Sequence, residues 1–234
     1  MKKVLDKGYV RLVDVMGSDL TIVNAARVSY DKESNELNDK DERLINFLLR
    51  EGHTSPFRHA TMQFEVYAPL LIARQWWKHC VGSDHTMDAW NESSRRYVTE
   101  DEEFYIPSAE EWRSKPENSK QGSGGCLPSE KGSFYTRALN DYIEQGEGLY
   151  NVAMENGIAP EQARLFLPAY GMYVRWYWTA SLQSVLHFLD QRLESDAQKE
   201  IQDYAKAVEE YVIAEYPAVY RAWLKAKGVQ VNEV

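Results

Sequence analysis

Cysteine is nearly missing from this sequence of 234 residues: Cys80 and Cys126 are the only two. One pair makes no disulfide framework in a chain of this length, so both are read as reduced thiols and stability must come from packing. Long apolar runs are missing as well. No stretch approaches the roughly 20 uninterrupted apolar residues of a membrane helix, and the start, Met1-Lys2-Lys3-Val4-Leu5-Asp6, lacks the apolar core of a signal peptide. A cytoplasmic protein with no membrane partner is the expectation. Positive charge is in deficit, because 27 Lys and Arg against 36 Asp and Glu leave a net charge of -9. That balance excludes a general nucleic-acid binder, whose affinity comes from many cations on phosphates; any anionic ligand must be held locally. Neither GxGxxG nor GxxxxGK followed by Ser or Thr occurs, so a nucleotide or flavin would have to be bound without a Rossmann turn or a P-loop.

What is present is apolar and aromatic. Hydrophobic residues make up 44% of the chain, with 7 Trp and 15 Tyr, enough for one globular domain spanning residues 1–234. Tyr9 to Val15 reads as a strand, followed by a helix starting at Ser18-Asp19. A second helix carries Leu44, Ile45, Leu48 and Leu49 and stops at Gly52, which leaves His53 to His59 as a loop. Met62, Phe64 and Val66 alternate with polar neighbours, as do Met172, Val174, Trp176 and Trp178, which predicts two strands with one buried face each. Pro69 opens a helix over Leu70 to His79, with Arg74 and Lys78 on one face and Gln75 and His79 on the next. Val81 to Asn91 reads as loop, Arg96-Tyr97-Val98 as a short extended segment, and Pro116 to Ser133 as a mobile surface loop. Helices follow over Phe134 to Asn156, from Pro160, from a Ser181 cap, over Ser195 to Tyr216, and beyond Pro217. No repeat is present, and strands and helices do not alternate strictly. The fold class is therefore α+β.

Four arginines stand in apolar surroundings: Arg74, Arg164, Arg175 and Arg192. A partly buried guanidinium needs a carboxylate, phosphate or carbonyl partner; an acidic side chain of the protein meets that need as well as a ligand does, and snorkelling to solvent avoids it. His79, Cys80, Asp84, His85 and Asp88 are metal-ligand types, but the spacing of a zinc site is lacking, and no metal is expected. Cys80 beside His79 points about 100° away on a helix, so a small buried thiol is the simpler reading than a nucleophile.

Beyond these local readings, Ala73-Arg74-Gln75-Trp76-Trp77-Lys78-His79 with Asn91-Glu92-Ser93-Ser94-Arg95-Arg96-Tyr97 resembles the signature of the flavin-dependent thymidylate synthases (ThyX). Further blocks resemble that family in order along nearly the whole chain: Leu12 to Gly17, Ala25 to Ser29, Gly52 to Phe57, Glu103 to Pro107, Ala163 to Pro168, and His187 through Arg192 to Gln198. Lys78-His79-Cys80 stands where Arg-His-Arg is usual, an insertion lies within Val81 to Ala89, and Asp196 and Gln183 replace a common His and Arg.

The resemblance implies a central antiparallel sheet flanked by helices, and reductive methylation of dUMP to dTMP with FAD, NADPH and methylenetetrahydrofolate. It implies a dUMP site of Gln75, Lys78, Glu92, Ser94 and Arg96, joined by Arg164 and Arg192 from another subunit of a homotetramer. Flavin contacts are implied for Ser29, Ser55, Lys78, His79, Asn91, Glu92, His187 and Arg192. His53 falls near flavin and folate. The catalytic set carried over is Arg192, which polarises a uracil carbonyl, Ser94, which positions dUMP, and His53. A relative that keeps this fold and its nucleotide and flavin binding without synthase activity is the alternative.

Overall fold

The computed structural model describes residues 1–82, 89–93, 103–117 and 122–229. In chain order the elements are β1 (Lys2–Val4), β2 (Gly8–Met16), α1 (Asp19–Arg27), α2 (Asp39–Arg50), β3 (Thr61–Pro69), α3 (Leu70–Gly82), β4 (Ala89–Glu92), α4 (Ser129–Glu155), α5 (Pro160–Ala163), β5 (Tyr173–Ser181), α6 (Leu182–Arg192), α7 (Lys199–Glu215) and α8 (Pro217–Ala226). The strands form one five-stranded sheet of order β1-β2-β3-β5-β4, antiparallel throughout. The mixed fold with a central antiparallel sheet is the one expected.

The alternation in β3 and β5 sets the sheet's two faces. Met62, Phe64, Val66, Ala68, Trp176, Trp178 and Ala180 are all buried on one of them. Helices α3, α6 and α7 pack against that side of the molecule. At the centre Trp76 of α3 stacks on Phe188 of α6 at 4.3 Å and meets Trp176 and Trp178 edge-on at 5.5 and 5.4 Å. Aromatic pairs in these geometries add about 0.5–1.5 kcal/mol each beyond their buried area, so this cluster fixes where α3 and α6 sit. On the opposite face Glu65 accepts the Tyr9 hydroxyl at 2.5 Å and pairs with Arg11, while Gln63 donates to Thr179 at 3.0 Å. Glu65 is buried with its partners around it, so that face is a packed polar network, not the simple solvent face expected.

Boundaries differ from the sequence reading in several places, among them the end of α3, which runs on to Gly82, and the added strand β1. Ser55–His59 is a short 3-10 helix and not open loop, because Pro56 in its first turn pre-sets φ and lacks an N–H to satisfy. Ala89–Glu92 is the edge strand β4, held by Trp90 stacking on Trp176 at 4.7 Å. Helix α4 starts at Ser129, inside the stretch read as a mobile loop, and residues preceding it are tied down: Gly124 donates to the Ser114 carbonyl at 2.9 Å and Leu127 to that of Trp112 at 2.7 Å. Helix α7 starts at Lys199, later than Ser195, because Gln202 uses its side chain to bind the Ala197 carbonyl at 2.7 Å. The Arg96-Tyr97-Val98 segment lies outside the described residues.

Candidate functional site

Helices α3 and α6 bring together five of the expected residues. Gln75 and His79 lie one turn apart on the half-buried side of α3, while Arg74 and Lys78 are on its exposed side. From α6, His187 reaches a ring separation of 6.4 Å from His79, and Arg192 ends the helix. Burial, and then the charges of Arg192, His187 and Lys78, push His79 down to about 4. It is therefore neutral at physiological pH, with one ring nitrogen to donate and one to accept.

Arg192 is the less satisfied group. Burial draws its guanidinium pKa down, and the Asp196 carboxylate opposes that shift. Its Nε is buried and without a hydrogen-bond partner among the described residues. A buried donor left unpaired costs about 1–3 kcal/mol, so this position suits a ligand that brings an anionic or carbonyl oxygen. Arg192 and Gln75 line one cavity of about 740 Å³ with Gln191, Asp196, Gln198 and Gly122. That volume lies in the range that holds a nucleotide-sized ligand.

The remaining expected residues stand elsewhere on the chain. Asn91 and Glu92 sit on the edge strand β4, opposite Tyr177 and Trp176. Burial raises the Glu92 carboxyl, and a hydrogen bond with Trp90 opposes that shift. His53 is exposed beside a smaller cavity of about 220 Å³ shared with Gln183, Leu186, Asp190, Trp223 and Lys227. Ser55 is exposed in its 3-10 helix, and Ser29 is exposed in another, Val28–Tyr30. Ser94, Arg96, Asp84, His85 and Asp88, and the side chain of Cys80, lie outside the described residues.

Two of the four arginines in apolar sequence surroundings are exposed. Arg74 faces away from the buried Ile72, Ala73 and Trp76, and Arg164 is exposed with a single bond to the Glu161 carbonyl at 3.3 Å. Around Arg164 the apolar sequence neighbours are themselves exposed, Leu165 at 82% and Phe166 at 47%.

Sequence reasoning missed the groups behind Gln75. Its amide donates to Gln198, Gln198 donates to Glu200 at 2.8 Å, and Glu200 is paired with Arg113. Nothing in local spacing joins Arg113 to Glu200, which is 87 positions away. Only the Ala197-Gln198 block pointed toward this region.

The family described as thymidylate synthase complementing protein matches residues 11–218. A flavin-dependent thymidylate synthase of Thermus thermophilus is 41% identical over 220 residues, covering 94% of this chain and 77% of that protein. That of Thermotoga neapolitana is 39% identical over 233 residues, covering 99% and 98%. Among solved structures, the UMP/dUMP methylase PolB from Streptomyces cacaoi bound with 5-Br dUMP has a TM-score of 0.82 at 30% identity, covering 98% of this chain and all 100% of that one. Its form bound with 5-Br UMP gives 0.82 at 28%, covering 98% and 99%.

Proposed function

Because this chain belongs to the flavin-dependent thymidylate synthase family, we propose that it converts dUMP to dTMP with methylenetetrahydrofolate as carbon donor and FAD, reduced by NADPH, as hydride source. The observation that carries this reading is Arg192: a half-buried guanidinium whose Nε has no partner among the described residues, lining a nucleotide-sized cavity with Gln75.

In this reading Arg192 donates to a uracil carbonyl. Negative charge developing on the ring is then stabilised by a donor that is already in place and already desolvated, which raises the nucleophilicity of the ring carbon without an enzymic nucleophile. Gln75 and Ser94 hold the nucleotide in register, and Lys78 supplies local positive charge in a chain of net charge -9. Neutral His79, with His187 and Arg192, offers the donors and acceptors that a flavin nucleotide needs, so the residues present fit FAD. Ser29, Ser55, Asn91 and Glu92 complete the flavin contacts in this account. Bound FAD supplies the hydride. His53, which lines a second cavity with Gln183, meets the folate in this reading.

Arg192, expected from another subunit, lines the cavity with Gln75 within one chain; Arg164 belongs to the site of a neighbouring copy in a homotetramer. Its exposure supports this, as does the apolar surface around it, with Leu165 82% and Tyr170 69% exposed. The test is chromatographic detection of dTMP with FAD, NADPH and methylenetetrahydrofolate omitted one at a time. All three should be required. Product without FAD, or none with everything present, overturns the reading.

A further inference from the structure

Gln75 lines the cavity, and an amide can turn either its oxygen or its nitrogen toward a ligand with almost no change of shape. What decides between the two is the partner behind it. Here the chain of partners ends in groups whose polarity cannot reverse. Arg113 can only donate; its Nε donates to Ser123 at 2.9 Å and its Nη1 to the Glu111 carbonyl at 3.3 Å, and its Nη2 is paired with Glu200. Glu200 is 6% exposed, on the first turn of α7. Burial pushes its carboxyl up, but hydrogen bonds from Arg113 and Gln198 outweigh burial and hold it below the usual carboxylate range. An ionised carboxylate can only accept. Gln198 must therefore give Glu200 its N–H, at 2.8 Å, and is left with its carbonyl oxygen for Gln75. Gln75 must in turn give one of its two N–H hydrogens to Gln198, which fixes the sense of its amide and leaves its carbonyl oxygen, with the second N–H, free for other partners.

We propose that Glu200, braced by Arg113 and acting through Gln198, is a positioning residue that fixes the Gln75 amide so that its carbonyl oxygen faces the bound nucleotide. This rests on the reading of the cavity as the dUMP site. A phosphate at neutral pH offers no hydrogen, so the group that meets this oxygen is a donor of the nucleoside: the uracil N3–H or a sugar hydroxyl. The amide thereby selects a ligand with a donor at that point, because an acceptor there would face an acceptor.

The experiment uses the flavin-loaded protein, with dUMP binding measured by calorimetry, thermal midpoints as a control for folding, and NADPH reduction of the flavin as a control for the cofactor side. E200Q removes the fixed acceptor and Q198E sets two carboxylates against each other; each is expected to weaken dUMP binding about tenfold, the worth of one misplaced hydrogen bond. The double variant Q198E/E200Q keeps the net charge and restores the polarity: the carboxylate now at position 198 accepts from Gln75 and from the amide now at position 200, whose carbonyl accepts from Arg113. Its affinity should return to within about threefold of native, a coupling that a merely structural role does not produce. In turnover, the KM for dUMP should rise in the single variants with kcat and flavin reduction nearly unchanged. Of 3-methyl-dUMP and 2′,3′-dideoxy-UMP, the analogue lacking the matching donor should be insensitive to E200Q. Native-like binding by folded E200Q, or a double variant as weak as the singles, overturns the proposal. If E200Q does not fold, Gln198→Met decides: a loss of about tenfold supports the relay and native affinity refutes it. Should the native protein itself fail to bind dUMP, the nucleotide reading falls with it, whereas native binding with unresponsive variants removes the relay alone.

Discussion

Arg192 and His79 sit within one cluster, and burial lowers the pKa of both, yet only the imidazole loses its charge. The guanidinium stays charged and its Nε lacks a partner among the described residues, while the imidazole is pushed down to about 4 and stays neutral. For Arg192→Ala the expected outcome is a fall in kcat/KM of at least about a hundredfold, the scale of losing a preorganised donor. Arg192→Lys should not restore it, because an ammonium lacks the planar fork; steady-state kinetics on both variants check this. His79 gives a pH dependence of known sign. The unfolded imidazole takes up a proton near 6.5 and the folded one only near 4, so stability is full above the upper value and is lost as pH falls toward the lower one. Since the ring is half-exposed, the loss should be about 1 kcal/mol after solvent screening. Urea midpoints at pH 7.5 and 5 should show the drop in the native protein and a smaller one in His79→Gln. At this scale the sequence revealed Gln75, His79 and Arg192 through motif resemblance. It did not reveal that Arg164 is exposed or that Glu200 stands behind Gln75, since burial and pairing across 87 positions have no local signal.

Elements were more legible than their ends. Strands β3 and β5 follow from a period of two with large apolar residues, and α6 from its Ser181 cap, whose hydroxyl accepts from the Ser184 N–H at 3.2 Å. The edge strand β4 was not legible, because Ala89-Trp90-Asn91-Glu92 gains its structure only from the neighbour it pairs with. Of the three glycines in α4, each of which weakens a helix on propensity alone, Gly146 and Gly148 have opposite roles. A Cβ on Gly146 would lie 2.8 Å from the Phe166 carbonyl oxygen and 3.0 Å from Pro168 Cδ, whereas one on Gly148 would meet nothing within 4 Å. Gly146 permits the close approach of α4 to the segment that carries Arg164; Gly148 contributes nothing by being small. Gly146→Ala should therefore cost about 1–3 kcal/mol through overpacking, and Gly148→Ala should gain about 0.5–1 kcal/mol from helix propensity. Denaturant midpoints of the two variants should move in opposite directions.

Across the whole molecule, the residues the resemblance assigns to one site are spread over separate places on one chain: the α3–α6 cluster, the β4 edge, the His53 cavity, and exposed Arg164 and Ser29. The proposed sharing of sites in a homotetramer would reconcile that spread, and under it light scattering should return a mass of about four times the 27.1 kDa chain. A monomer at working concentration would count against shared sites. The architecture was legible because blocks resembling one family run along nearly the whole chain, and residues 11–218 match it. The placement of the parts was not, because one chain's sequence does not state which surfaces meet. The most direct test of the function is release of tritium from dUMP labelled at carbon 5, measured with FAD, NADPH and methylenetetrahydrofolate. Release that depends on FAD and is lost in Arg192→Ala is the expected result; folded, flavin-loaded native protein that releases none would contradict the account.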